Sequence, residues 1–161
     1  MDSVTFRVNG LPAPKGSVTR MRNGSYLPAG TPASRMNFNL WKENIATAGR
    51  QAMSGNQPWY GAVRILAEFQ LPKPSTIRKY QWGWLPHIKR PDVDKLARGL
   101  FDPLKGIVWV DDSQVCFCTV NKVYAWNDQP GAVVIVDFLT NDWCEKYGSV
   151  HRSVINVIDS L

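Results

Sequence analysis

Hydrophobic and polar positions alternate at the start of the chain: Val4, Phe6 and Val8 are separated by Thr5 and Arg7, which predicts a strand with one buried face. Gly10-Leu11-Pro12-Ala13-Pro14 stops it. From Lys15 to Gly30 no period persists, and basic residues, Gly and Ser dominate; this stretch reads as a functional loop. Thr31 followed by Pro32 suits an N-cap with proline at the first helical position. Phe38, Trp41, Ile45, Ala48 and Ala52 then recur at helical spacing, predicting an amphipathic helix over residues 32–53.

Val63, Ile65, Ala67, Phe69 and Leu71 alternate with Arg64, Leu66, Glu68 and Gln70, the pattern of a second strand. Residues 72–91 contain four prolines and a basic-aromatic mixture that includes Tyr80, Trp82 and Trp84. A long loop is expected there, its aromatics either capping the core or stacking on bases. A short helix should start at Asp92 or Val93, and Pro103 should end or kink it by removing a backbone donor. Ile107–Val110 and Ser113–Tyr124 read as strands flanking an Asp111-Asp112 turn, with Ala132–Phe138 as the last strand. Beyond Asn141, Val150, Val154, Val157, Ile158 and Leu161 fall at helical spacing. These elements predict an α+β domain, a small mixed sheet packed against one long helix, over residues 1–139, with residues 140–161 as a helical extension of the same domain.

Composition narrows the class. The 161 residues include no run approaching the roughly 18 apolar residues of a membrane span. Met1-Asp2-Ser3-Val4 has neither the basic nor the apolar run of a signal peptide, so a soluble cytoplasmic protein is expected. Cys116, Cys118 and Cys144 cannot pair completely, and with two distant histidines, His87 and His151, they make a poor zinc set; buried, reduced thiols are expected. The formal charge of +6 favours an anionic partner. Its placement says more: Lys15, Arg20, Arg22 and Arg35 lie early, and Lys73, Arg78, Lys79, Lys89 and Arg90 precede an acidic stretch. A phosphate backbone suits that pattern.

The acidic stretch carries the chemistry. Hydrolysis of a phosphodiester is helped by a hard cation, and Mg²⁺ takes carboxylate oxygens near ~2.1 Å while retaining water. Asp92, Asp94 and Asp112 are the candidate ligands. Asp92 as N-cap and Asp94 in the first turn would share the positive helix end, with Arg98 facing Asp94 one turn on. On this reading Asp94 and Arg98 border the apolar arc Leu96, Leu100, Leu104, at the edge of the core, and the Asp111-Asp112 turn returns beside the helix start. The structural alternative is that Asp92 caps the helix and Asp111-Asp112 simply makes a turn. Clustered carboxylates in a basic chain favour function, because their repulsion is relieved by a cation.

Arg90-Pro-Asp92-Val-Asp94-Lys-Leu96, Leu100-Phe-Asp102 and Gly106-Ile-Val-Trp109-Val-Asp111-Asp112-Ser-Gln114-Val115 together resemble the signature of the RusA family of Holliday junction resolvases. The similarity extends to Lys122-Tyr124 and Pro130-Gly131. Gly10-x-Pro12-x-Pro14-Lys15-Gly16 and its basic loop look like the phage-encoded branch. The resemblance covers about residues 4–138. It implies a homodimeric α/β endonuclease that binds four-way DNA junctions and cleaves two strands with Mg²⁺, or Mn²⁺ in its place, in DNA recombination and repair. If phage-encoded, it would act in the cytoplasm of a bacterial host.

The implied metal ligands are Asp92, Asp94 and Asp112. The family's catalytic lysine falls on Arg98, a departure, since arginine keeps the charge but gives up no proton at neutral pH. Pro103 and the residues beyond 139 also depart from the pattern. Lys15, Arg20, Arg22, Lys89 and Lys122 are candidates for contacts with the DNA backbone. The rival readings are a general flap or branched-DNA nuclease, and a basic DNA-binding protein without catalysis.

Overall fold

A computed structural model describes residues 1–16, 18–20, 22, 26–28, 31–75, 85–125 and 129–140. Tyr80, Trp82, Trp84, Cys144 and the helical tail expected beyond Asn141 lie outside the described residues, as does the side chain of Arg20.

Four strands form one mixed sheet: β1 (Ser3–Asn9), β4 (Val63–Leu71), β5 (Val115–Tyr124) and β6 (Gly131–Phe138), in the order β1-β6-β4-β5. β6 runs antiparallel to both β1 and β4, whereas β5 runs parallel to β4. On one face Val4, Phe6, Val8, Val63, Ile65, Ala67, Phe69, Ala132, Val134 and Val136 are buried, and they pack against two helices, α1 (Pro32–Met53) and α2 (Val93–Leu104). The period-two alternation along β1 and β4 produces this by sending every second side chain to the helices. The other face is half-covered by its own polar pairs, such as Arg64 with Asp137 at 2.7 Å across β4 and β6.

α1 begins where its cap predicts: the Thr31 hydroxyl oxygen accepts from the Ser34 amide at 3.2 Å, and Pro32 stands at the first turn. Trp41 and Ile45 are its main anchors in the core. α2 buries Leu96, Leu100 and Leu104 completely. Pro103 is accommodated in its last turn, so the helix stops one residue later, at Leu104. Gly99 lets the Ala13–Lys15 segment lie directly on α2, since a Cβ there would come 3.0 Å from the Ala13 carbonyl oxygen. The Lys15 amide donates to the Lys95 carbonyl at 3.0 Å, fastening this strap across the helix.

Three expectations are corrected. Lys15–Gly30 is not wholly loop, for β2 (Val18–Arg20) pairs antiparallel with β3 (Tyr26–Pro28). Ile107–Val110 forms a turn rather than a strand: the amides of Ile107 and Val108 both donate to the Leu104 carbonyl, continuing the end of α2, and Gly106 takes the positive φ of 74° that the reversal needs. Ser113 belongs to a short 3-10 turn, Asp112–Gln114, ahead of β5. The cysteines are also misjudged. Cys116 and Cys118 are free and exposed, because β5 is the outermost strand and its pairing with β4 skips Cys116 in a bulge. Burial of part of the Cys118 surface still pushes its thiol upward. Among the described residues no helix is long and apolar enough to cross a membrane.

Candidate metal and DNA site

The start of α2 presents two carboxylates side by side. Asp92 is the N-cap by backbone conformation, yet its side chain caps no amide. It accepts instead from Lys95 Nζ at 2.7 Å. Asp94, in the first turn, accepts from Arg98 Nη2 at 2.6 Å, the one-turn pairing that the spacing predicts. Lys95 holds the Asp92 carboxyl below its usual range, chiefly by hydrogen bonding, against a small opposing push from Asp94. Arg98 does the same for Asp94. Both groups are therefore ionised at neutral pH. They are also open to solvent: the Asp94 and Arg98 side chains are 61% and 63% exposed, which corrects the expectation that they sit at the edge of the core.

A lysine links the chain leading into α2 to the sheet. Lys122 on β5 pairs across the parallel ladder with Phe69, on the helix-covered face. Its Nζ donates to the carbonyl oxygens of Lys89 and Pro91 at 2.6 and 2.7 Å. Its own carbonyl accepts from the His87 amide at 3.0 Å. Lys122, a candidate DNA contact in the sequence, thus spends two of its three donors on the chain just ahead of Asp92. The His87 ring is buried beside Tyr124; burial and then Lys122 push its pKa down. Lys89 is exposed, as is Arg22. Lys15 is engaged with Asp102 at 2.7 Å.

The second carboxylate motif is built as a knot around Gln114. Its Nε2 donates to the carbonyls of Trp59 and Gly61, and its Oε1 accepts from the amides of Val110 and Asp111, all within 2.9 Å. Asp111 closes a capping box with this turn by accepting from the Ser113 amide. Lys105 and these turn donors hold the Asp111 carboxyl far below the usual range. Asp112 is placed by the Trp109 indole, whose Nε1 donates to its Oδ1 at 3.0 Å. The roles divide: Asp111 closes the turn, and Asp112 projects from it with one oxygen held.

The structure brings Asp92, Asp94 and Arg98 together but not Asp112. The Asp111-Asp112 turn lies beside the end of α2, where Lys105 pairs with Asp111 and feels the charges of Asp112 and Asp102. Asp92 lies at the other end of that helix, whose twelve residues span about 18 Å. The expected return of this turn to the helix start is therefore incorrect. The reason is topological: α2 runs against β5, so the residues leading into β5 meet the helix's C-terminal end. Among the described residues no group of three His, Cys, Asp or Glu side chains is placed to hold one metal ion. Gln114, Trp109 and Lys105 were legible only as signature letters or a lone charge, because their work is with backbone groups and with Asp111 and Asp112.

The family model described as Endodeoxyribonuclease RusA matches residues 11–137, a span that takes in both carboxylate motifs, the strap over α2 and three of the four sheet strands. The chain is also 28% identical over 147 residues to YqaN of Bacillus subtilis (strain 168), described as an uncharacterized protein; the match covers 84% of this chain and 96% of that one.

Proposed function

Since the chain belongs to the RusA family of endodeoxyribonucleases, we propose that it is a Mg²⁺-dependent nuclease that resolves four-way DNA junctions, working as a homodimer in recombination and repair. The observation that carries the metal assignment is the Asp92–Asp94 pair: two ionised, solvent-facing carboxylates at one helix start, of which Asp92 caps no backbone amide. Hard oxygen donors at an open helix start fit Mg²⁺, which needs only one or two carboxylates beside water and substrate phosphate. The cation supplies Lewis acidity at the scissile phosphate. Their present partners, Lys95 and Arg98, make exposed ion pairs of the kind that contribute little in water and exchange readily.

Asp94 would be one of the groups that hold the cation, and the Arg98 guanidinium, joined to Asp94 by an exposed ion pair, can turn toward the phosphate. There it stabilises the charge that develops on the phosphoryl oxygens. It gives up no proton at neutral pH, so proton transfer falls to solvent. Lys95 and Lys89 add positive charge to the same end of the helix, and Arg20 and Arg22 are further candidates for contacts with the DNA backbone.

Asp112 belongs to this reading as a third ligand delivered by a second copy. A two-fold dimer would set the start of one α2 beside the end of its partner's, twice over, with one self-complementary interface. Two cuts on symmetry-related strands follow from two such sites. A panel of four-way, flap, linear duplex and single-stranded DNAs tests the substrate. Preference for the four-way junction with paired nicks is expected; equal cleavage of flaps would make the protein a general branched-DNA nuclease, and metal-independent binding without nicking would leave only a DNA-binding role.

A further inference from the structure

We propose that Lys122 is a positioning residue for the metal-binding carboxylates rather than a contact to DNA. This inference rests on the metal assignment of Asp92 and Asp94. Lys122 is half-buried on the sheet's helix-covered face, and its ammonium reaches the carbonyls of residues 89 and 91 at ordinary hydrogen-bond lengths. With the His87 amide on its own carbonyl, one residue of β5 ties down three alternate positions of the chain leading to Asp92.

Among the described residues, the other backbone tie from β5 to this segment, the Tyr124 amide on the Leu85 carbonyl at 3.0 Å, lies seven residues ahead of Asp92. Asp92 forms no side-chain cap, and its hydrogen bond to Lys95 lies within the same helix, so it cannot fix that helix relative to the sheet. A lysine stem running from a paired strand to a loop, with its ammonium donating to two carbonyl oxygens there, is a strut. Removing it frees the Lys89–Pro91 segment and leaves two carbonyls to seek water. The cost is in the placing of Asp92 and Asp94, and outer partners of metal ligands are worth about 10- to 100-fold in metal affinity when deleted.

The experiment compares wild type, Lys122→Met, Lys122→Arg and Asp92→Asn in three measurements on the full chain: Mn²⁺ binding by calorimetry without DNA, junction affinity in Ca²⁺, and the Mg²⁺ midpoint for cleavage. Lys122→Met should weaken Mn²⁺ binding and raise the Mg²⁺ midpoint about 10-fold or more, with turnover recovering at high Mg²⁺. Its junction affinity and the salt slope of that affinity should stay within about two-fold of wild type. Lys122→Arg, which keeps donors at a similar reach, should restore most of the metal affinity. Loss of junction affinity with an unchanged metal midpoint would overturn the proposal and return Lys122 to the DNA surface, as would unchanged values in all three measurements. If Lys122→Met does not fold, Lys122→Gln, whose shorter side chain cannot reach both carbonyls, decides: weakened Mn²⁺ binding with junction affinity kept upholds the strut, and wild-type Mn²⁺ binding or lost junction affinity overturns it. Normal Mn²⁺ binding and cleavage in Asp92→Asn would instead refute the metal assignment itself.

Discussion

At the scale of single residues, the two adjacent aspartates of the turn before β5 separate by their partners. Asp111 accepts from the Ser113 amide and pairs with Lys105, whereas Asp112 is held through one oxygen by an indole. Asp112→Asn is therefore expected to abolish cleavage while junction binding persists, since an amide keeps the indole contact but loses the charge. Asp111→Asn should retain much of the activity and lower the thermal midpoint instead. Full cleavage by the Asp112 variant would remove it from the site. Arg98 gives a second contrast: Arg98→Lys should keep substantial turnover, and Arg98→Ala should lose it with junction affinity altered less.

The depressed carboxyl pKa values of Asp92 and Asp94 carry a sign. A carboxyl whose native pKa lies below its unfolded value stabilises the fold above the unfolded value, here near 3.8, and that contribution disappears as pH falls through the native one. The site should therefore stay ionised from neutral pH down into the acid range. Lys95→Met removes the largest cause of the Asp92 shift. The acid limb of metal binding should then move to higher pH, and an unmoved limb would show that Lys95 does not govern this carboxylate.

At the scale of elements, α2 depends on Leu96, Leu100 and Leu104, each wholly buried. Leu100→Ala should cost about 2–5 kcal/mol, read as a shift in the denaturant midpoint. Gly99→Ala presses a methyl toward the Ala13 carbonyl oxygen at 3.0 Å; it should loosen the strap and raise exchange of the Lys15 amide. Most elements were legible because their periods are clean: the alternation of β1 and β4, and the spacing of Trp41, Ile45 and Ala48 in α1, follow directly from which side chains reach the core. Ile107–Val110 was misread because an apolar run carries no period of its own, and Val108 and Trp109 are buried as part of a turn. The exposure of Cys116 and Cys118 depends on strand order, which no local pattern encodes. Asp92, Asp94 and Arg98 were legible as a group because they share one helix turn. Their separation from Asp112 was not, since it depends on the direction of α2 against β5.

For the whole molecule, the basic flank should make junction binding steeply salt dependent. Each neutralised phosphate contributes roughly 0.9 to the log–log slope on duplex DNA, so Arg20→Ala with Arg22→Ala should flatten it by up to about two. An unchanged slope would move the DNA surface elsewhere. On the proposed reading, one chain holds Asp92 and Asp94 at one end of α2 and offers Asp112, at the other end, to a partner. The most direct test mixes subunits. Asp92→Asn and Asp112→Asn homodimers should each be inactive on a supercoiled plasmid bearing a cruciform. Their heterodimer, if sites are shared between subunits, has one site with both substitutions and one with neither, and should regain Mg²⁺-dependent nicking at about half the wild-type number of sites. A heterodimer that forms and binds the junction yet remains as inactive as its parents would contradict the account.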